Sequence, residues 1–318
     1  MPSVFAVTFP FFALILIGYA AARRQWLPLG AIPGLNGFVL YFALPCMLFR
    51  FGAGAPLAQL LNPRSAAVYL GAALVLLAAA LLYARRGGWS WNDAAFGALV
   101  TAFPNTGFMG VPLIVALLGA AAAGPVVQVM AIDMVITSSL CIALSRLDGA
   151  GAQGMAAALR QALRGMLANP LPWAVLLGGL ASAVGLVLPQ PLDQTLALLG
   201  NAAPPVALFT IGAVLARSQM GHDTPVAWPA YLPLALAKLV LHPLLVLGGA
   251  ALAAAAGAPL PPLGAAAITL VAALPSASNV AVLAERFGAH NGRIARIILV
   301  STVLAFGSFS AAVMLVAR

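Results

Sequence analysis

Phe103-Pro104-Asn105-Thr106-Gly107-Phe108-Met109-Gly110-Val111-Pro112 lies in the middle of an apolar segment running from about Ala94 to Leu118. Two prolines, two glycines, an Asn and a Thr at that depth oppose a continuous helix. Proline removes a backbone donor and clashes with the preceding turn, and glycine adds chain entropy. The helix is therefore expected to open here, with Pro104, Gly110 and Pro112 marking the break. In lipid, freed backbone groups are tolerated only where they are buried in protein or line a watery cavity. A second apolar segment, from Pro262 to about Arg286, carries a similar interruption around Pro275, in Leu274-Pro275-Ser276-Ala277-Ser278-Asn279. The two breaks are expected to meet and form a substrate site.

The surrounding composition sets the class. Of 318 residues, 63% are hydrophobic and 7% charged, with a mean hydropathy of +1.06. A soluble domain carries about a quarter charged residues, so this reads as an all-α polytopic membrane protein with lipid around it. A hydrocarbon core of about 30 Å takes about 20 helical residues to cross. Ten spans are expected, near 4–22, 33–50, 65–84, 94–118, 125–145, 169–188, 194–216, 230–255, 263–286 and 294–317. Met1-Pro2-Ser3-Val4 has no charged stretch ahead of the first span, which is expected to be retained rather than cleaved.

The net charge of +9 comes from basic residues scattered singly and in pairs. Nucleic-acid binding would cluster them with stacking aromatics, so no nucleic-acid partner is expected. Arg23, Arg24, Arg85, Arg86, Arg146, Arg160, Arg164, Arg217, Arg286, Arg293 and Arg296 fall on one side of the expected spans, and Arg50, Arg64 and Arg318 on the other. By the positive-inside rule the first side is cytoplasmic and both termini face outward. The compact, loop-poor, arginine- and alanine-rich chain points to a bacterial inner membrane. Cys46 and Cys141 lie in apolar segments and read as packing residues. No metal or cofactor is expected.

An internal repeat flanks the longest connection. Pro45-Cys46-Met47-Leu48-Phe49 has a counterpart in Pro205-Val206-Ala207-Leu208-Phe209, and Leu99-Val100-Thr101-Ala102-Phe103-Pro104 in Leu270-Val271-Ala272-Ala273-Leu274-Pro275. Five spans per half is an odd number, so the second half enters from the opposite side. The organisation expected is residues 1–145 as one five-helix repeat, 146–168 as a cytoplasmic linker, and 169–318 as the inverted second repeat. Within the linker, Met155 to Met166 reads as an amphipathic surface helix presenting Arg160 and Arg164.

Interrupted helices 4 and 9, crossing near the midplane, suit a secondary transporter. Each broken helix exposes about half an elementary charge at its new ends. N-termini near Val111 and Ser278 could receive an anion, and carbonyls near Phe103 and Leu274 a cation or polar group. Asn105, Thr106, Ser276, Ser278 and Asn279 add side-chain donors and acceptors, and Gly107 allows close backbone approach. Asn105 and Asn279 could instead only cap the broken ends, a role compatible with substrate contact. A charge at mid-membrane costs about 2.5–3.5 kcal/mol on insertion scales, so Asp133 in span five is expected to face a polar interior. Lys238 and His242, four apart on span eight, are its obvious partners, as a coupling site or a structural ion pair. Glu285 beside Arg286 reads as an interfacial pair. No nucleophile elbow, HExxH, P-loop or dinucleotide fingerprint occurs, so neither an enzyme nor ATP-driven transport by this chain is expected. A channel-like facilitator of organic anions is the alternative.

Asn105-Thr106-Gly107-Phe108-Met109-Gly110-Val111-Pro112 and Leu274-Pro275-Ser276-Ala277-Ser278-Asn279-Val280-Ala281-Val282-Leu283-Ala284-Glu285-Arg286-Phe287-Gly288 resemble the auxin efflux carrier family. Weaker matches are the stretch from Leu35 to Pro45, Asn169-Pro170, Pro205 to Gly212, and Lys238-Leu239-Val240-Leu241-His242-Pro243. The resemblance implies a fold like those of bile-acid sodium symporters and sodium/proton antiporters. In it, spans 1, 2, 6 and 7 would form a panel and spans 3–5 and 8–10 a core. It also implies a small organic anion as substrate, auxin-like or malonate- or malate-like. Beyond the resemblance, proton coupling or an electrogenic uniport is favoured over sodium coupling, and a homodimer completes the expected partners. The long hydrophilic loop of many plant members is missing, and the acids that hold sodium in bile-acid symporters have no convincing match.

The orientation is testable in a background with Cys46 and Cys141 replaced by Ala. A cysteine at position 64 should react with a membrane-impermeant maleimide in intact cells, and one at position 86 only after permeabilisation. The opposite pattern would invert the topology.

Overall fold

The structure, a computed structural model, describes residues 2–54, 62–147, 160, 170–220 and 226–316. The described chain is helical. In order its helices are α1 (Pro2–Arg23), α2 (Leu29–Ala53), α3 (Pro63–Arg86), α4 (Trp91–Ala102), α5 (Thr106–Leu118), α6 (Ala120–Ser145), α7 (Pro170–Ala183), α8 (Gln190–Met220), α9 (Leu232–Ala255), α10 (Pro262–Ala272), α11 (Asn279–Arg286) and α12 (Asn291–Val316). Six of them, α2, α3, α6, α8, α9 and α12, are long and apolar enough to cross a membrane. The remaining expected spans correspond to α1, to the shorter α7, and to the interrupted pairs α4/α5 and α10/α11. The expected surface helix between Met155 and Met166 lies outside the described residues except for Arg160, as do the side chains of Glu285 and Arg286.

The interruptions follow local chemistry. Ser90 opens α4 by accepting a hydrogen bond from the Asp93 N–H at 3.0 Å, and Asp93 itself sits in the first turn, where the helix dipole favours a carboxylate. The helix stops when Phe103 turns extended, at φ −95° and ψ 104°. The ring of Pro104 disfavours helical geometry in the residue before it.

By contacts the chain divides into two compact units. The first holds residues 1–62, 106–128 and 168–222, and so contains α1, α2, α5, the start of α6, α7 and α8. Its helices touch backbone to backbone at glycines. A Cβ on Gly18 would collide with the carbonyl oxygen of Phe209, and one on Gly212 with that of Ile15, so α1 and α8 meet through a reciprocal glycine pair. Gly178 of α7 lies in the same way against the Phe49 carbonyl of α2. Small residues serve this purpose where water supplies no drive for helices to associate. A core of Ala22, Ile32, Ala213 and Ala216 continues the seam.

The second unit holds residues 63–105, 129–167 and 223–318, and so contains α3, α4, most of α6, and α9 to α12. Helix α4 is buried from Ala94 to Ala102. Its start is fastened to the turn between α11 and α12. Asp93 accepts from the His290 N–H at 2.8 Å and pairs with Arg293 at 3.0 Å, while the Asn92 amide donates to the Phe287 carbonyl at 2.9 Å. Gly288 in that turn has φ +69°, a conformation that favours glycine.

Forcing bulk into a close-packed seam costs about 1–3 kcal/mol or more. Gly212→Val should therefore lower the apparent Tm of detergent-purified protein clearly more than Gly248→Val, whose added Cβ meets nothing within 4 Å. Equal effects would contradict the seam.

Candidate functional site

Within the second unit the two breaks pair with each other. The Asn105 N–H donates to the Pro275 carbonyl at 2.8 Å, and the Ala277 N–H donates to the Phe103 carbonyl at 3.0 Å. The result is an isolated antiparallel bridge centred on Pro104 and Ser276. Each proline lacks an N–H, so the donors come from Asn105 and Ala277. The Ser276 N–H is taken by the hydroxyl of Ser301 on α12 at 3.1 Å, and that hydroxyl donates to the Ile298 carbonyl at 3.0 Å. The backbone freed by the prolines is thus re-satisfied inside the protein, as an apolar surround demands. The carbonyl near Phe103, expected to be open to a ligand, is occupied by Ala277.

What stays open is side chain. Asn105 is 3% exposed, and its amide makes no side-chain hydrogen bond among the described residues. The Ser276 hydroxyl is fully buried and has no partner among the described residues. Ser278 is half-buried, and Asn279, exposed, is the first residue of α11. Thr106 and Gly107 follow Asn105 directly and open a wide helical turn, Thr106–Gly110, counted with the first unit. Gly110 closes that turn. Pro112 comes second in the regular run Val111–Leu118, a position where its missing donor is cheap.

Three ionisable residues lie behind the break in the second unit, all at 0% exposure: Asp133, Lys238 and His242. Asp133 accepts from the Tyr69 hydroxyl at 2.8 Å on one carboxylate oxygen and from the Thr137 hydroxyl at 3.2 Å on the other. Lys238 Nζ lies 3.0 Å from His242 Nδ1 and donates to the Ala272 carbonyl at 2.6 Å. Ala272 is the last residue of α10, so Lys238 Nζ sits at the negative end of a helix dipole, just before the second break. The Tyr69 and His242 rings are 5.5 Å apart between centroids, and His242 Nε2 is buried without a partner. Asp133 and Lys238 interact through their charges, but among the described residues they form no direct ion pair.

Asp133 and Lys238 both fall in widened helical turns, closed by the Ser138 N–H on the Asp133 carbonyl and by the His242 N–H on the Ala237 carbonyl. Such bulges are frequent at functional sites. Of the residues expected to pair, Lys238 and His242 meet each other, and Asp133 bonds instead to Tyr69 and Thr137. Thr137 was within reach of the i, i+4 spacing from Asp133. Tyr69, Ser301 and the Ala272 carbonyl carry no comparable signal, since a tyrosine or serine inside an apolar span is common. No group of three or more His, Cys, Asp or Glu that could hold a metal occurs among the described residues.

The chain matches the family described as membrane transport protein over residues 3–314. A protein of Rhizobium meliloti (strain 1021) named "Putative malonate transporter" is 29% identical over 314 residues, covering 96% of this chain and 93% of the relative. The transporter YfdV of Escherichia coli (strain K12) is 26% identical over 75% of each chain. Auxin efflux carrier component 7 of Arabidopsis thaliana is 27% identical over 46% of this chain and 24% of the plant protein.

The Ser301 hydroxyl satisfies a donor with no other outlet. Leaving a buried N–H unpaired costs about 1–3 kcal/mol. Ser301→Ala should therefore lower the apparent Tm more than Ser310→Ala, whose hydroxyl only returns to the Phe306 carbonyl of its own helix. Indistinguishable melting would remove Ser301 from the account of the bridge.

Proposed function

The chain belongs to the membrane transport protein family, and on that premise we propose that it is a secondary transporter that moves a small organic anion by alternating access. Its relatives are transporters, not enzymes. The supporting observation is the paired break, which sets the nearly buried Asn105 beside a buried Ser276 hydroxyl that has no partner among the described residues. A buried polar group without a partner is costly. Such a group beside broken helix ends, with Asn105 next to it, suits a ligand that brings its own acceptors.

In this reading the ten spans form two inverted five-helix repeats, and the bridge at Pro104 and Ser276 is the crossing of spans four and nine. Asn105, Ser276, Ser278 and Asn279 address a carboxylate, with Thr106 and Gly107 continuing the same loop. Spans 1, 2, 6 and 7 serve as panel and spans 3–5 and 8–10 as core. The relative named for malonate directs the choice of substrate to small mono- and dicarboxylates. Fixed dipoles and neutral amides select for negative charge rather than chain length, so charge is the first criterion. The protein works in a bacterial inner membrane with both termini outside, with the buried Lys238 and His242 as its proton-coupling pair and Asp133 as their structural countercharge.

A ligand that binds only the folded state raises its stability, so purified protein should show a saturable thermal shift with malonate and none with neutral malonamide. A hydrogen bond to a charged group is worth about 1.5–3 kcal/mol, and about 1.4 kcal/mol is tenfold in affinity. Asn105→Ala and Asn279→Ala should accordingly weaken malonate binding about tenfold or more and cut counterflow in proteoliposomes, with folded protein retained. Unchanged uptake in both variants would remove the site from the breaks. Uptake without saturation or counterflow would favour a channel.

A further inference from the structure

His242 is fully buried, its Nδ1 is engaged with Lys238 Nζ at 3.0 Å, and its Nε2 has no partner among the described residues. Asp133 is the opposite case. Both of its oxygens already accept hydrogen bonds, from Tyr69 and Thr137. Of the two side chains, only the imidazole has a buried polar atom without a partner among the described residues.

Resting on the transport reading above, we propose that His242 Nε2 is the proton-binding atom of this transporter and that it relays the charge to Lys238. In the unloaded state Nδ1–H donates to a neutral Lys238 amine, and Nε2 carries a lone pair. A proton arriving at Nε2 forms an N–H bond there. The Nδ1–H bond breaks and its proton passes to Nζ, which becomes an ammonium donating to both Nδ1 and the Ala272 carbonyl. The pair has then gained one proton and one positive charge, and the imidazole ends neutral in its other tautomer. The new charge lies at the C-terminal end of α10, immediately before the break that receives the anion, so anion and proton stabilise one another in a poorly solvated interior. Unloading reverses the same steps.

The other charged and titratable groups on the elements packed against α9 do not compete for that role. Helix α3 presents Tyr69, bonded to Asp133. Helix α6 presents Asp133, whose negative charge complements the loaded pair. Helix α10 has no ionisable side chain. Asp93 of α4 and Arg293 of α12 neutralise each other, and Arg296 of α12 stacks over Tyr231.

The test uses full-length protein in proteoliposomes with the membrane potential clamped at zero and radiolabelled malonate as probe. Wild type should take up malonate severalfold faster with the acidic side outside than without a gradient, and His242→Gln should fall to the no-gradient rate while keeping the malonate thermal shift. Asp133→Asn should still respond to the gradient. A gradient response of wild-type size in His242→Gln, or its loss in Asp133→Asn with His242→Gln unaffected, would overturn the relay. Intact wild-type counterflow with no gradient response would overturn the relay alone, whereas no malonate binding and no counterflow would overturn the transport reading beneath it. Should the variants fold poorly, 15N-histidine spectra of the membrane-embedded protein, with His222 and His290 replaced by Gln, give a second readout. The His242 Nε2 resonance should pass from bare to protonated as pH falls, and one fixed state throughout would overturn the proposal.

Discussion

Every helix break inside a membrane must find partners for the backbone it frees, and here two breaks supply them to one another. The exchange of Asn105 N–H to the Pro275 carbonyl and Ala277 N–H to the Phe103 carbonyl is small, two hydrogen bonds in all. Much follows from it. It lets Pro104 and Pro275 persist in apolar segments, it fixes the register in which Asn105 and Ser276 are brought together, and it recruits Ser301 from α12 to close the last open donor. A break facing lipid alone would leave each of those groups unsatisfied at a cost of several kcal/mol. The bridge is therefore both a structural repair and the frame of a candidate site.

The second consequence is electrical. Interrupting α10 at Ala272 leaves the negative end of a helix in the interior, and Lys238 has come to it. A buried ammonium is expensive unless it is paired and hydrogen-bonded. The Ala272 carbonyl, His242 Nδ1 and the charge of Asp133 together meet that condition. The ionisable cluster and the break are thus joined by one hydrogen bond, which gives a change of charge in the cluster a physical route to the site. The widened turns at Asp133 and Lys238 belong to the same arrangement, since each falls at a buried ionisable side chain.

The membrane class, the family and the position of both interruptions were legible in the sequence, because composition and proline placement are local properties. Phe103 turns extended where the residue before a proline should. The fate of the freed groups was not legible. The Phe103 carbonyl, read as open, is closed by Ala277, because a backbone partner far outside any local pattern leaves no trace in side-chain identity. Lys238 and His242 were visible as a pair by their spacing, while the attachment of Lys238 to Ala272 and of Asp133 to Tyr69 depends on tertiary packing. The sequence reading counts ten spans, whereas six helices among the described residues are long and apolar enough to cross alone, and α1, α7 and the interrupted segments are not among them.

The central claim is that the paired breaks hold the carboxylate through the Asn105 amide. Solid-state NMR on protein labelled with 15N at asparagine side chains and loaded with 13C-carboxyl malonate measures that proximity directly. The account predicts carbon–nitrogen dipolar dephasing of the bound malonate signal that is lost in Asn105→Ala. Saturably bound malonate with no dephasing from any asparagine side chain would contradict it.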